Sequence, residues 1–272
     1  MNIEDFKKAL EIIKANESII IHRHSNPDGD ALGSQVGLLH IIKENYPEKS
    51  VYIVGDESER YGFIPNRIMD TVDDSLFPSS LSIILDTSSP SLISDQRWRN
   101  AKESLRFDHH LFIEKIADYE VVDSTYESSC GLVADFAKTL GLKVNDKAAK
   151  ALYTGMVTDS GRFLYDSVSS RTHTIAAFLL ERSFDRNDIF RNLYVEDLES
   201  VKRKLSFMER IKFTYNNVAY VYSTKEDVAK MGLSPFSVSR GMVNTMANLK
   251  GVHVWANFTE DGDKVLCELR SD

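Results

Sequence analysis

The stretch SIIIHRHSNPDGDALGSQVGLLHII (Ser18–Ile42) decides the fold. Its first five residues are a short, apolar, β-branched run, as expected of a strand buried in a parallel sheet. From Ala31 to Glu44 apolar residues return at helical spacing, at Leu32, Val36, Leu39 and Ile42. Between strand and helix lies the polar loop Arg23-His24-Ser25-Asn26-Pro27-Asp28-Gly29-Asp30. In open parallel sheets, ligands bind beyond the carboxyl ends of the strands. A loop with this content at that place marks the end of the sheet to watch.

The pattern repeats outward from this unit. Val51–Val54 and Leu81–Leu85 (LSIIL) read as further short strands, and Leu105–Phe107 as the end of a fourth. Helical patterns occupy Ser129–Leu140, Asp146–Val157 and Arg171–Glu181. Strands alternating with helices predict an α/β domain, a mainly parallel sheet flanked by helices. Beyond Phe184 the pattern changes. Arg186–Met208 reads as helix throughout, with no strand signal, and serves as a connector. Val218–Tyr222 then reads as a strand, Pro235–Leu249 as a helix, and Val252–Phe258 with Lys264–Leu269 as a hairpin around Glu260–Asp263. The expected division is a main domain over 1–185, a helical connector over 186–212 and a smaller α+β domain over 213–272.

Composition sets the class. The 272 residues are 42% hydrophobic and 27% charged, enough apolar material for a sizeable core. The opening MNIEDFKKALEIIKAN mixes acids with lysines and reads as an amphipathic helix, not a secretory signal. No apolar run approaches the roughly 18 residues of a membrane span. Cys130 and Cys267 stand far apart, outside any metal-type spacing, which suits a reduced, cytoplasmic setting with both thiols as buried packing residues. The net charge of −8 argues against duplex DNA as a partner. Residues 201–272 hold 11 Lys+Arg and 8 Asp+Glu, leaving 22 and 33 for residues 1–200. An acidic first part fits a metal site and a basic last part fits an anionic substrate, although ordinary surface variation accounts for the charges equally well.

Four element ends each deliver Asp or His. After SIIIH come His24, Asp28 and Asp30; after LSIIL comes Asp86; after Leu105–Phe107 comes Asp108-His109-His110; after Tyr153–Val157 comes Asp159. Taken singly each has a plain structural explanation: a hydrogen-bonded loop histidine, a polar turn, a helix cap. Jointly they describe a metal site. Carboxylates and imidazoles without thiolates favour Mn²⁺. Asp28 and Asp30 flank Gly29 on one tight turn, so each can reach a different ion, and two ions roughly 3.5–4 Å apart activate water and neutralise a phosphoryl group. Of the remaining histidines, His22, His40 and His173 read as structural, and His253, on a strand of the basic last part, reads as packing first with a substrate role as the alternative; Trp255 and Phe258 are able to stack on a base but read as core by default.

The block HSNPDGDALGS (His24–Ser34) resembles the first motif of the DHH phosphoesterase superfamily, H-x-x-P-D-x-D-A-x-G-S. Asp86 in ILDTSS resembles the second motif, Asp108-His109-His110 the motif that names the family, and Asp159 in VTDSGRF the fourth. The resemblance covers roughly residues 1–185 and implies two divalent metal ions. It implies His24, Asp28 and Asp86 on one metal, and Asp30, Asp86, His109 and Asp159 on the other. It implies His110 at the phosphoryl group, Asp108 orienting the histidine pair, and Arg162 as a phosphate contact. Residues 213–272 resemble the start of the DHH-associated domain, which supplies substrate contacts; Arg270 and Ser271 are carried over as such. In the family a glycine-rich G-G-G-H stretch follows shortly after that pair, whereas this sequence stops at Asp272.

The function expected from the resemblance is a manganese-dependent phosphoesterase. It would hydrolyse short single-stranded oligonucleotides or 3′-phosphoadenosine 5′-phosphate by two-metal activation of water, in the cytoplasm, with no membrane partner and with homodimer formation also implied by the resemblance. The alternatives are a cyclic or linear dinucleotide phosphodiesterase, an inorganic pyrophosphatase, and a non-catalytic nucleotide-binding protein.

Overall fold

The computed structural model describes residues 3–65 and 68–271. The chain forms two compact units, Met1–Leu193 and Tyr194–Asp272.

The first unit is built on five parallel strands, β1 (Ser18–His22), β2 (Ser50–Ile53), β3 (Leu81–Leu85), β4 (Glu103–Asp108) and β5 (Tyr119–Val122), in the order β2-β1-β3-β4-β5. Ile21 of β1 sits in register with Ile53 on one side and Ile83 on the other. Every residue of β3 is buried, which is why these strands read as unbroken apolar runs without alternation. The chain steps from β1 outward to β2, then returns to place β3 on the opposite side of β1. The loops after β1 and β3 therefore part at a topological switch point, where such sheets open a ligand crevice.

Helices α1 (Ile3–Ala15), α2 (Gly29–Asn45), α3 (Ser129–Thr139), α4 (Asp146–Asp159), α5 (Ser170–Leu180) and α6 (Arg186–Tyr194) complete this unit. The amphipathic α1 buries Phe6, whose ring meets Phe136 of α3 at 5.6 Å, and Phe136 in turn meets Phe107 of β4 at 5.2 Å. α2 begins at Gly29, two residues before the expected Ala31. Asp28 caps it, accepting the amide hydrogens of Asp30 and Ala31 at 3.0 Å each. From Gly29 to Ile42 the whole of α2 is buried.

That burial depends on glycine. A Cβ on Gly33 would stand 2.6 Å from the Ala151 carbonyl oxygen, one on Gly37 2.5 Å from Leu152 Cγ, and one on Gly29 2.7 Å from Thr158 Cγ2. Gly155, on α4, faces back against Asp30 and Cys130. The first turn of α2 (Gly29, Asp30) meets Thr158 and Gly155 near the end of α4, whereas Gly37, two turns on, meets Leu152 in the first half of α4, so the helices run antiparallel. The end of α4, carrying Asp159, thus lies against the start of α2, carrying Asp28 and Asp30.

The second unit holds α7 (Leu198–Met208), α8 (Lys225–Met231), α9 (Pro235–Met242) and strands β6 (Lys212–Phe213), β7 (Ala219–Ser223), β8 (Val254–Asp261) and β9 (Lys264–Ser271), ordered β6-β7-β8-β9. β7 and β8 are parallel; the other pairs are antiparallel. Phe207, Val221, Val238, Met242, Met246 and Trp255 form its core.

Several expectations needed correction. The helix expected over Arg186–Met208 breaks at Val195–Asp197, because Asp197 accepts the Ser200 amide hydrogen at 2.7 Å and starts α7 afresh. The helix expected over Pro235–Leu249 ends at Met242 and tightens into a 3-10 turn over Val243–Met246. Cys267, expected to be buried, is exposed on the edge strand β9, while Cys130 is fully buried. Among the described residues no helix is long and apolar enough to cross a membrane.

The helix contact yields a test. An alanine at Gly155 would place its Cβ 3.0 Å from Asp30 Cα and closer still to Cys130 Sγ. Gly155→Ala is expected to destabilise the protein by roughly 1–3 kcal/mol through overpacking. Gly241→Ala on α9, where nothing lies within 4 Å, should be neutral or stabilising by about 0.5–1 kcal/mol. Thermal melting followed by circular dichroism separates the two; a Gly155→Ala variant that melts like the parent would refute the close-packing account.

Candidate metal centre

The site grows from four element ends at one edge of the parallel sheet. The loop after β1 carries His24 and Asp28, and the first turn of α2 carries Asp30. Asp86 follows β3 directly, His109 and His110 follow β4, and Asp159 ends α4. Asp86 holds a left-handed backbone at φ 52°, uncommon for a residue with a side chain, while its amide donates to the Phe107 carbonyl at 3.1 Å. That bond fixes Asp86 between the β3 and β4 ends.

Six of the side chains singled out in the sequence fall into two groups. Ligand atoms of His24, Asp28 and Asp86 lie within 4.8 Å of one another, and so do those of Asp30, His109 and Asp159. Asp86 faces both groups: one carboxylate oxygen lies 3.4 Å from His24 Nε2, the other 3.5 Å from His109 Nε2. His109 Nε2 is also 3.4 Å from Asp159.

The histidines are held so that one nitrogen faces inward. His24 Nδ1 lies 2.8 Å from the Ser25 carbonyl oxygen, which can only accept, so Nδ1 carries a hydrogen and Nε2 is the atom turned toward Asp28 and Asp86. His109 Nδ1 meets the Tyr126 carbonyl oxygen at 3.4 Å in the same sense. Asp30, almost wholly buried, accepts the amide hydrogens of Ser129 and Cys130 at 2.7 and 2.8 Å at the start of α3. The positive end of that helix offsets part of the cost of burying this group.

The electrostatics follow from this crowding. Burial and the charges of Asp86 and Asp159 push Asp30 far above the usual carboxylate range. Burial lifts Asp159 to about 7 against the charge of His109, and the charges of Asp86 and Asp28 add to the rise. Asp86 goes the other way: despite burial, hydrogen bonds from His109 and His24 hold it well down. Against the effect of burial, bonds to Asp28 and Asp86 raise His24 to about 11, and the bond to Asp86 with the charge of Asp30 raises His109 to about 10. The chain thus gathers more negative charge than its own groups can hold ionised. Protons on Asp30, Asp159 and the imidazoles offset that excess, and divalent cations bound by the same oxygens and nitrogens would offset it too. The donor set, carboxylate and imidazole without thiolate, fits hard or borderline ions.

His110 and Asp108 form an adjoining pair. His110 Nδ1 donates to Asp108 at 2.7 Å, and the other Asp108 oxygen takes a hydrogen bond from Arg106, fully buried like Asp108 itself. Arg106 continues to Glu120 at 3.2 Å. The Asp108 bond raises His110, and against burial that bond with the Arg106 charge keeps Asp108 ionised. His110 also lies near enough to group with Asp86 and His109, but its Nδ1 is committed to Asp108, which leaves Nε2 for other chemistry.

Arg162 is exposed on the turn that follows Asp159. Arg270 and Ser271 belong to the second unit; Arg270 donates to Glu268 at 2.7 Å on its own strand. The sequence reading missed two buried arginines, Arg106 and Arg23. Arg23 donates to Gln35 at 3.0 Å and to the His24 carbonyl at 3.0 Å, and pairs with Asp56, pinning the backbone of the His24 loop. Its place directly before His24 was the only signal available. Beside the His24 loop an open groove of about 790 Å³ is lined in part by Ser25, Ser89, Ser91 and Arg99.

Comparison with known proteins agrees with this geometry. Residues 18–156 match the model of the DHH family, N-terminal domain. The bifunctional oligoribonuclease and PAP phosphatase NrnA of Bacillus subtilis is 32% identical, over 96% of this chain and 84% of its own length. The probable bifunctional oligoribonuclease and PAP phosphatase NrnA of Streptococcus mutans is 35% identical, over 95% and 82%. Among solved structures, an exopolyphosphatase-related protein from Bacteroides fragilis superposes with a TM-score of 0.90 at 23% identity, covering 100% of this chain and 84% of that one. A putative family II inorganic pyrophosphatase from Methanococcus jannaschii gives a TM-score of 0.52 at 17% identity, over 93% and 86%. With both units of the chain aligned to these relatives and the four motifs meeting at one sheet edge, the chain belongs to the DHH family.

Proposed function

We propose that the protein is a manganese-dependent phosphoesterase that hydrolyses very short oligonucleotides and 3′-phosphoadenosine 5′-phosphate. It is a hydrolase of phosphoester bonds; the substrates and the metal are the proposed part. The observation that carries the reading is Asp86, one carboxylate shared by two groups of metal-type ligands. The extended similarity to relatives named as oligoribonucleases and PAP phosphatases supports the substrate class.

In this reading His24, Asp28 and Asp86 hold one ion, and Asp30, Asp86, His109 and Asp159 the other. When bound, such a pair lowers the pKa of water and neutralises charge on the phosphoryl group. The rest falls to the chain. Ser25 and Tyr126 carbonyls fix the tautomers of His24 and His109, and the α3 amides hold Asp30 in one rotamer. Asp108 holds the Nδ1 hydrogen of His110, leaving Nε2 to donate a proton to the departing oxygen. Arg162 meets a substrate phosphate, and Arg270 and Ser271 contribute substrate contacts from the second unit.

Three outcomes are expected. Excess Mn²⁺ should raise the melting temperature of the parent, since binding at 100 times the dissociation constant adds about 2.7 kcal/mol. An Asp86→Asn variant should lose most of that rise, and an equal rise in both would remove Asp86 from the ligand set. In a second assay the protein is given Mn²⁺ and, separately, dinucleotide RNA, five-residue RNA, 3′-phosphoadenosine 5′-phosphate, a cyclic dinucleotide and pyrophosphate. EDTA-sensitive turnover of the short RNAs and the bisphosphate is expected, and its loss in His109→Ala; release of orthophosphate from pyrophosphate alone would overturn the substrate assignment. Third, Asp108→Asn, which leaves the buried Arg106 with Glu120 as its charge partner, should lower stability and, measured below its melting temperature, lower turnover about 10- to 100-fold, the usual effect of losing an orienting partner. Unchanged turnover would mean that His110 needs no such support.

A further inference from the structure

The turn after Asp159 is built more tightly than a surface loop requires. Gly161, Arg162 and Phe163 take φ values of 56°, 64° and 64°, three consecutive left-handed residues of which two carry side chains. Such positions are costly and persist only where the surroundings over-determine them. Here they are over-determined. The amide hydrogens of Arg162, Phe163, Leu164 and Tyr165 are all used, on the Val157 carbonyl (2.8 Å), the Ser160 hydroxyl (2.9 Å) and, for the last two, the Ser160 carbonyl (3.0 and 3.1 Å). The half-buried Phe163 ring packs at 5.9 Å from Tyr153 and 5.7 Å from His173. Ser160 is itself fully buried and anchored to the Met156 carbonyl.

One product of this turn is a fixed aromatic surface. The Tyr165 ring lies flush on Gly161: a Cβ there would stand 2.8 Å from Tyr165 Cδ1, so only glycine lets the ring settle. Yet 57% of Tyr165 remains exposed. Gly161 follows Asp159 by two residues, so their Cα atoms are at most about 7 Å apart. An exposed aromatic ring is therefore seated on a strained turn whose glycine lies two residues from Asp159.

We propose that Tyr165 is a stacking platform for a nucleobase of the substrate. This rests on the nucleotide reading above and adds to it a base contact made by the first unit. Every base presents a π-face, so stacking gives affinity without reading sequence. A platform of this kind suits an enzyme that degrades short strands whatever their composition. The strained turn places the ring before substrate arrives, which spares the ordering cost that a mobile side chain would incur on binding.

Two RNA dinucleotides, carrying 2-aminopurine at the 5′ or the 3′ position, are mixed in a stopped-flow instrument with excess Mn²⁺-loaded protein. The fluorescence change on binding precedes hydrolysis, and steady-state constants are measured in parallel. Stacking on Tyr165 is expected to quench one of the two probes. Tyr165→Ala should abolish that quench and raise KM about tenfold, with kcat within about twofold, the size expected of one lost base–aromatic stack. Tyr165→Trp should restore both, and Leu164→Ala, on the neighbouring exposed side chain, should behave like the parent. A quench and KM preserved in Tyr165→Ala overturn the proposal, as does a Leu164→Ala variant that fails in the same way. Hydrolysis of both dinucleotides by the parent without any quench overturns the platform and leaves the nucleotide reading standing. Neither binding nor hydrolysis of any nucleotide brings down both.

Discussion

Repulsion among Asp28, Asp30, Asp86 and Asp159 is the constraint around which the first unit is organised. Bringing four carboxylates to one sheet edge, two of them almost without solvent, is strongly unfavourable unless positive charge or hydrogen-bond donors face them. Much of the surrounding structure answers that need. The first turn of α3 donates two amides to Asp30, Ser129 donates its hydroxyl to Asp86, and His24 and His109 present their ring nitrogens. These groups reduce the imbalance without removing it, as the raised Asp30 and Asp159 record. A centre left short of positive charge by its own chain has affinity for cations in reserve.

Holding such a centre together requires rigid approaches from distant parts of the chain. The sheet order supplies three of them, since β1, β3 and β4 are neighbours and their carboxyl ends carry the candidate ligands. The fourth, Asp159, comes from a helix end, and its position depends on how closely α4 approaches α2. Gly29, Gly33 and Gly37 permit that approach, with Gly155 opposite. Two strained backbone sites, the candidate ligand Asp86 itself and the turn at Gly161–Phe163 just after Asp159, are held by backbone hydrogen bonds. Strain concentrated at the centre and absorbed by well-packed neighbours is the usual signature of a preorganised site.

Much of this was legible in the sequence, and the unread part has a common cause. SIIIH and LSIIL could be read because a strand buried on both faces needs no partner information to look apolar. The candidate ligands could be read because parallel sheets put chemistry at strand ends. Arg23 and Arg106 could not: Arg23 is paired with Asp56 and Arg106 with Glu120, partners that a local pattern does not contain, and Asp108 two residues from Arg106 reads as part of a motif and not as a buried partner. β5 was missed because Tyr119–Val122 is short and only partly buried. The break at Asp197 lay in a capping bond within an otherwise unbroken helical pattern, and the exposure of Cys267 depends on β9 lying at the edge of its sheet. The glycines of α2 look like weak points in a helix until α4 is laid against them.

The buried Arg106–Asp108 pair shows why such features are kept. Taking two charges out of water costs several kcal/mol per ion, so an apolar pair of the same volume would serve stability equally well or better. What an apolar pair lacks is an acceptor for His110. Against burial, the His110 bond together with the Arg106 charge keeps Asp108 ionised inside the sheet edge, and an ionised Asp108 takes the His110 hydrogen on one oxygen while holding the guanidinium on the other. Glu120, from the neighbouring β5, shares the arginine and so ties the histidine to the rim of the sheet. The chain Glu120–Arg106–Asp108–His110 thus converts a cost in folding into a fixed orientation for one imidazole, beside the point where the aspartates converge.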